Sequence, residues 1–226
     1  MTPQDLRSIS LFSAFGDSEL EPLLEHVQVR NYPAHEQVFT SGEISRGIWL
    51  VRSGRLRIYR IGPYGDELTM RIAEPGKFEC LGMCPLFSRH ECTSNAETLE
   101  PTRLYFIDGA DALALGKHRI AFAGMMALVL SKNYRYLAGR STGLALDCST
   151  PRLADLLLNF ASELGSSTEQ GVELDLPVDR QVLATLVGTT TQTIHKNLQK
   201  MQQAGVVAVR RKHLVIRNPE RLSGMD

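Results

Sequence analysis

The sequence predicts an α+β chain with three parts. An antiparallel β-roll of the jelly-roll type comes first, then one long dimerisation helix, then a winged helix-turn-helix. Three observations carry this expectation. Turn residues recur every eight to twelve residues between about Val29 and Phe106, an apolar 3,4 repeat runs without proline from about Lys117 to Asp147, and Asp179–Gln203 followed by a basic hairpin spells two helices and a wing. The expected boundaries are 1–116 for the roll, 117–147 for the helix and 148–226 for the last unit.

The chain opens with Asp17–Val27, which reads as a short amphipathic helix capped by Asp17. Beyond it the pattern changes to short apolar or alternating runs: QVFTSGE, GIWLVRSG, RLRIYRI, LTMRIAEPG and TRLYFID. Turns at Ser41-Gly42, Ser53-Gly54, Tyr64-Gly65-Asp66 and Pro75-Gly76 separate them, as in an antiparallel roll or barrel. A barrel of this size is filled by its own side chains or holds one small ligand.

From Lys117 the period becomes helical. Ile120, Ala123, Ala127, Leu130, Tyr134, Leu137, Ser141 and Leu144 step by alternating threes and fours, and all but Ser141 are apolar, a coiled-coil seam that predicts a dimer interface. A second stripe, Phe122, Met126, Val129 and Tyr136, lies on another face and is assigned to the roll. Ser149-Thr150-Pro151 then ends the long helix and caps the next, with proline at its first position, so this segment reads as a hinge. Arg152–Leu164 follows as an amphipathic helix, then a polar loop, GSSTEQG, and the strand-like VELDLPV.

In the next segment Leu183, Ala184 and Val187 form one apolar face, Gly188 supplies a left-handed turn residue, and Thr190 caps a second helix whose stripe is Ile194, Leu198 and Met201. Thr190, Thr191, Gln192, His195, Lys196 and Lys200 are the candidates for contacts to base edges and phosphates. Two short strands, Val206–Val209 and His213–Ile216, are joined by Arg210, Arg211 and Lys212, the wing that touches phosphates. Between Asp179 and Arg221 stand eight Lys or Arg against two acids, a balance of +6 in a chain that is neutral overall. Residues 1–110 carry eleven Lys or Arg against fifteen acids. Such asymmetry is the footprint of a DNA-binding end joined to a different kind of domain.

Composition excludes other classes. No apolar run approaches the roughly eighteen residues needed to span a bilayer, and MTPQDLRSISLF lacks the basic start and apolar core of a signal peptide, so a cytoplasmic protein is expected. The four cysteines then read as thiols. No phosphate-cradling glycine loop, HExxH or paired-carboxylate signature points to an enzyme.

The ordered set LFSAF-x3-EL, SGE at 41–43, SGRLRIYR at 53–60, Gly65-x-Glu67, EPGKF at 74–78 and LATLVGTTTQTIHKNL at 183–198 resembles the cyclic-AMP receptor protein / fumarate-nitrate reduction regulator family of bacterial transcription factors. The resemblance covers nearly the whole chain. It implies a cyclic-nucleotide-binding-like roll, a homodimer on a palindromic duplex operator, contact with RNA polymerase, and activation or repression of promoters under the control of a sensed effector.

The departures from the family bear on that effector. Against the family pattern, Cys92-Thr93 stands where cyclic-nucleotide binders place an Arg-Ser pair for the phosphate, and Leu137 and Ala138 stand where their adenine-facing hydroxyls fall. A buried phosphate without a bidentate cation is costly, so cyclic AMP is disfavoured. The expected effector site is Cys80, Met83, Cys84, Arg89, His90 and Cys92, together with Phe122 and Met126. Iron-sulfur members use an N-terminal cysteine cluster, and no cysteine precedes Cys80. Haem members carry a His two residues after a Cys aligned with Cys80, where this chain has Gly82, so haem needs a substitute such as Met83, His90, His118 or the segment around Pro3. Four readings of the loop stay open: thiols filling the roll, haem or another gas-sensing metal, thiol redox sensing, and an apolar organic ligand. The metal itself is unknown. At the recognition helix, Thr191 and Gln192 replace the family's guanine- and cytosine-reading Arg and Glu, which implies a half-site richer in A·T.

Overall fold

The computed structural model describes residues 1–9, 12–13, 15–76, 80–82, 91–118 and 120–225. It divides into two compact units, Met1–Leu137 and Ala138–Asp226.

Among the described residues of the first unit, α1 (Pro3–Arg7) and α2 (Asp17–Leu24) precede eight strands: β1 (Val27–Tyr32), β2 (Gln37–Phe39), β3 (Gly47–Ser53), β4 (Leu56–Ile61), β5 (Glu67–Ala73), β6 (Cys80–Leu81), β7 (Asn95–Thr98) and β8 (Thr102–Asp108). They form two antiparallel four-stranded sheets, β1-β8-β3-β6 and β2-β7-β4-β5. This is the expected roll, and the glycines of all four expected turns, Gly42, Gly54, Gly65 and Gly76, have positive φ. Arg57 on β4 pairs with Glu97 on β7 at 2.7 Å and also with Glu67 on β5, pinning the register of three strands. Between the sheets Trp49 packs 5.1 Å from Phe39 and 5.1 Å from Phe106.

Three helical expectations are corrected. α2 is capped not by Asp17 but by Gly16, whose amide donates to Glu19 at 2.9 Å; Asp17 is the first helical residue. Helix also starts before Lys117: α3 spans Gly109–His118 and α4 spans Ile120–Leu146, because the chain leaving β8 turns directly into helix, with Asp108 accepting from the amide of Ala110. Pro151 is the third residue of α5 (Ser149–Leu164), since Cys148 already holds the extended N-cap conformation. α4 presents Phe122, Met126 and Val129 of the expected stripe, together with Met125, to a core shared with Leu6, Ile9, Phe12, Ile48 and Cys80, whereas Tyr136, the fourth expected member, packs against the second core around Trp49 and Phe106.

The second unit holds α5, β9 (Ser166–Thr168), β10 (Gly171–Asp175), α6 (Arg180–Val187), α7 (Thr191–Gln203), β11 (Val207–Arg210), β12 (His213–Ile216) and α8 (Pro219–Ser223). Part of the supposed loop GSSTEQG is thus a strand. It is polar and exposed, so hydrophobic patterning carries no trace of it, and only its backbone pairing with β10 reveals it. The sheet runs β11-β12-β10-β9, and Leu153, Leu157, Leu183, Ile194, Leu198, Met201 and Ile216 are buried in the unit.

Candidate nucleic-acid interface and effector cavity

The helix-turn-helix is built as its sequence dictates. The Asp179 carboxylate accepts from the Val182 amide at 2.8 Å to start α6. Gly188 closes α6 at φ 73°, and the Thr190 hydroxyl accepts from the Thr193 amide at 3.2 Å to start α7. Ile194, Leu198 and Met201 bury one side of α7, which leaves Thr191, Gln192, His195, Lys196 and Lys200 exposed on the other. Thr190 is exposed too, with its hydroxyl engaged as this cap. Gln199 shares the exposed arc one turn beyond His195 and went unread in the sequence, although its spacing of seven from Gln192 is a sufficient signal. On the wing Arg210, Arg211 and Lys212 are all exposed. Arg211 takes φ 57° at the tip, and its carbonyl accepts from the Arg180 guanidinium at 3.2 Å.

Behind the recognition helix lies a polar network invisible to apolar periodicity. Buried Asn197 donates to the Ser149 hydroxyl at 3.0 Å, connecting α7 to the first residue of α5. Arg152 reaches the carbonyls of Asp147, Val187 and Gly188, and Arg140 reaches that of Leu186.

The first unit contains a cavity of about 250 Å³. Of the expected effector residues, Cys80 and Cys92 line it. Met83, Cys84, Arg89, His90 and the side chain of His118 lie outside the described residues. Phe122 and Met126 do not line it. They face the core beneath β3 and β8, and Cys80 belongs both to that core and to the cavity wall. In their place α4 presents Asn133 and Leu137 to the cavity. Pro3 opens α1 and is not among the lining residues. Burial, and secondarily the Glu43 carboxylate, push the Cys92 thiol up, so it is protonated at neutral pH and acts as soft apolar lining rather than thiolate. Among the described residues no three His, Cys, Asp or Glu side chains are grouped to hold a metal ion.

Arg60 is a cavity residue that no sequence signal announced. It comes from β4, thirty-three positions before Thr93, and its Nε donates to the Thr93 carbonyl at 2.8 Å. A guanidinium therefore stands beside Cys92-Thr93, the place from which one is missing in the sequence.

The expected dimer seam is only half exposed. Ile120 (93% exposed) and Tyr134 (74%) are open, as are Ala123 and Ala127, whereas Leu130, Leu137 and Leu144 are half-buried. Leu130 packs on the core of the first unit, and Leu137 lines the cavity. A seven-residue repeat drifts about 20° per turn pair on a straight α-helix, and Leu130 and Leu137 turn toward the roll-facing side. Leu128, 72% exposed and outside the 3,4 repeat, joins the open face instead.

Residues 29–119 match the cyclic nucleotide-binding domain, and residues 151–225 match the Crp-like helix-turn-helix domain. The chain is 27% identical over 202 residues, 89% of each sequence, to the Cyclic AMP receptor protein of Thermus thermophilus. Its fold is similar to that of the c-di-GMP responsive global regulator CLP of Xanthomonas campestris, with TM-score 0.78 and 24% identity over 90% of this chain and 100% of that one. A mutant of CooA from Carboxydothermus hydrogenoformans gives TM-score 0.78 and 23% identity, over 95% of this chain and 93% of that one.

Proposed function

The chain belongs to the cyclic-AMP receptor protein / fumarate-nitrate reduction regulator family of DNA-binding transcription regulators, and from that premise we propose that it acts as a homodimer on a palindromic duplex operator, switched by an effector in the roll. The observation that carries this reading is one unit's set of exposed polar and cationic side chains: Gln192, His195, Lys196, Gln199 and Lys200 on α7, with Arg210, Arg211 and Lys212 on the wing. Gln192 and Thr191 read bases, and the cations hold phosphates. It is a regulator and not an enzyme, it works in the cytoplasm, and it engages RNA polymerase at the promoter. Ile120, Ala127, Leu128 and Tyr134 of α4 meet their counterparts in the second copy. The three functional parts are residues 1–116 for sensing, 117–147 for dimerisation and 148–226 for DNA.

The test starts from an operator selected by the purified full chain out of a random duplex library. Binding should weaken steeply with salt, and Lys196→Ala and Arg210→Ala should each lower the log–log salt slope by about one. The triple variant Lys196→Ala, Lys200→Ala, Arg210→Ala should lose nearly all duplex affinity. Unchanged affinity in that variant would overturn the reading.

A further inference from the structure

We infer that the cavity between the sheets takes a small organic carboxylate with an aryl or short alkyl body; this rests on the reading of the roll as an effector domain and names the chemical class of the effector. Size comes first. Pockets for drug-sized ligands run from roughly 300 to 1,000 Å³, and this one encloses about 250 Å³, room for a body of about ten non-hydrogen atoms rather than a nucleotide.

Chemistry comes second. The walls are mainly apolar: Phe39, Ile58, Met70, Leu81 and Leu137, with the protonated thiol of Cys92. The cationic groups are Arg60 and Arg71, and no Asp or Glu is among the described lining residues. Arg60 is already oriented, because its Nε is spent on the Thr93 carbonyl, and its terminal nitrogens form no ion pair among the described residues. A guanidinium held this way keeps two parallel N–H donors, the geometry that matches a carboxylate.

A third observation points into the same space. Asn133 on α4 is 8% exposed and lines the cavity, so a polar amide stands on a mainly apolar wall where a ligand's oxygen can meet it. Arg60, Cys92 and Thr93 also border an open depression of about 600 Å³ whose lining includes Ser41 and Glu91, so the anion-binding end of the cavity is the end nearest solvent. The carboxylate thus sits at Arg60 by the entrance, with the apolar body directed inward toward Phe39 and Leu137.

Trp49 is the single tryptophan of the chain and lies 5.1 Å from Phe39, so its fluorescence reports filling of the cavity. Full-length protein is titrated with phenylacetate and hexanoate, each beside its neutral amide, and with cyclic AMP. At least one of the two acids should change Trp49 emission and bind about tenfold tighter than its amide. Arg60→Gln should abolish that preference and Arg60→Lys should retain part of it, with circular dichroism showing both variants folded. Equal binding of acids and amides, no binding of either acid, or cyclic AMP displacing both, would overturn the inference. Operator affinity measured in the same samples separates the two readings. An acid that binds with charge preference but leaves operator affinity unchanged sinks the effector reading and leaves the ligand class standing. Control of operator affinity by cyclic AMP alone does the reverse.

Discussion

The Arg152 guanidinium donates from Nε to the carbonyl oxygen of Val187 at 2.9 Å, tying the first turn of α5 to the last turn of α6. The same side chain donates from Nη1 to the Asp147 carbonyl at 2.7 Å and from Nη2 to that of Gly188 at 3.3 Å, while Arg140 on α4 donates to Leu186. The last carbonyls of a helix have no partner inside it and carry the negative end of its dipole, so cations there satisfy both needs. Two arginines flanking the break after Leu146 thus hold the C-terminus of the helix that supports α7. Arg152→Ala should destabilise the second unit by about 1–3 kcal/mol, read as a lowered transition in calorimetry. Arg152→Lys should recover less than half, because an ammonium cannot reach several carbonyls from one planar fork. A transition unmoved by Arg152→Ala would mean that water replaces the clamp at no cost.

The same break should be where the switch operates. Gly139 and Gly143 weaken α4 by about 1 kcal/mol each relative to alanine, and the helix ends at Leu146. Hydrogen exchange between Gly139 and Thr150 should change when the effector binds. An effector that alters operator affinity while leaving this segment's exchange untouched would place the switch elsewhere.

Assembly should depend on the exposed row of α4. Ile120→Glu together with Tyr134→Glu should give a monomer in sedimentation, since charges would face each other across the dimer helix. Leu137→Ala should leave the dimer intact and enlarge the cavity. A dimeric double variant would remove α4 as the interface.

Gly82 should tolerate no side chain. Its φ is +81°, and a Cβ would stand 2.6 Å from the Gly47 carbonyl oxygen and 2.7 Å from the Trp49 ring. Left-handed strain and overpacking together predict a loss of about 2–4 kcal/mol for Gly82→Ala, measured by denaturant unfolding of the first unit. A loss below about 1 kcal/mol would show that the strand end relaxes freely.

Cys92 should be the slow thiol. Its folded pKa is raised by burial and by Glu43, so the unfolded chain gives up this proton at a lower pH than the folded one does. The stability tied to the protonated thiol is therefore complete below the unfolded value of about 8.5 and is lost as pH rises from there through the folded value. Iodoacetamide at pH 8.5 should modify exposed Cys148 first and reach Cys92 only on unfolding. Equal labelling of the two would contradict the assigned burial.

Local chemistry determined much of this protein from the sequence alone. Gly42, Gly54, Gly65 and Gly76 mark turns because only glycine takes their positive φ without cost. Gly188 and Thr190 delimit the helix-turn-helix because capping and turn geometry are decided within four residues, and the apolar stripe of α7 follows from its 3.6-residue period. Tertiary structure alone decided which residues meet across long separations. Nothing local announces that Arg60 lands on the Thr93 carbonyl, that Asn197 reaches Ser149, or that the exposed strand Ser166–Thr168 pairs at all. The division of α4 belongs there too: a repeat of 3.5 on a helix of 3.6 cannot say where drift hands Leu130 and Leu137 to the roll, because that depends on what packs against the helix.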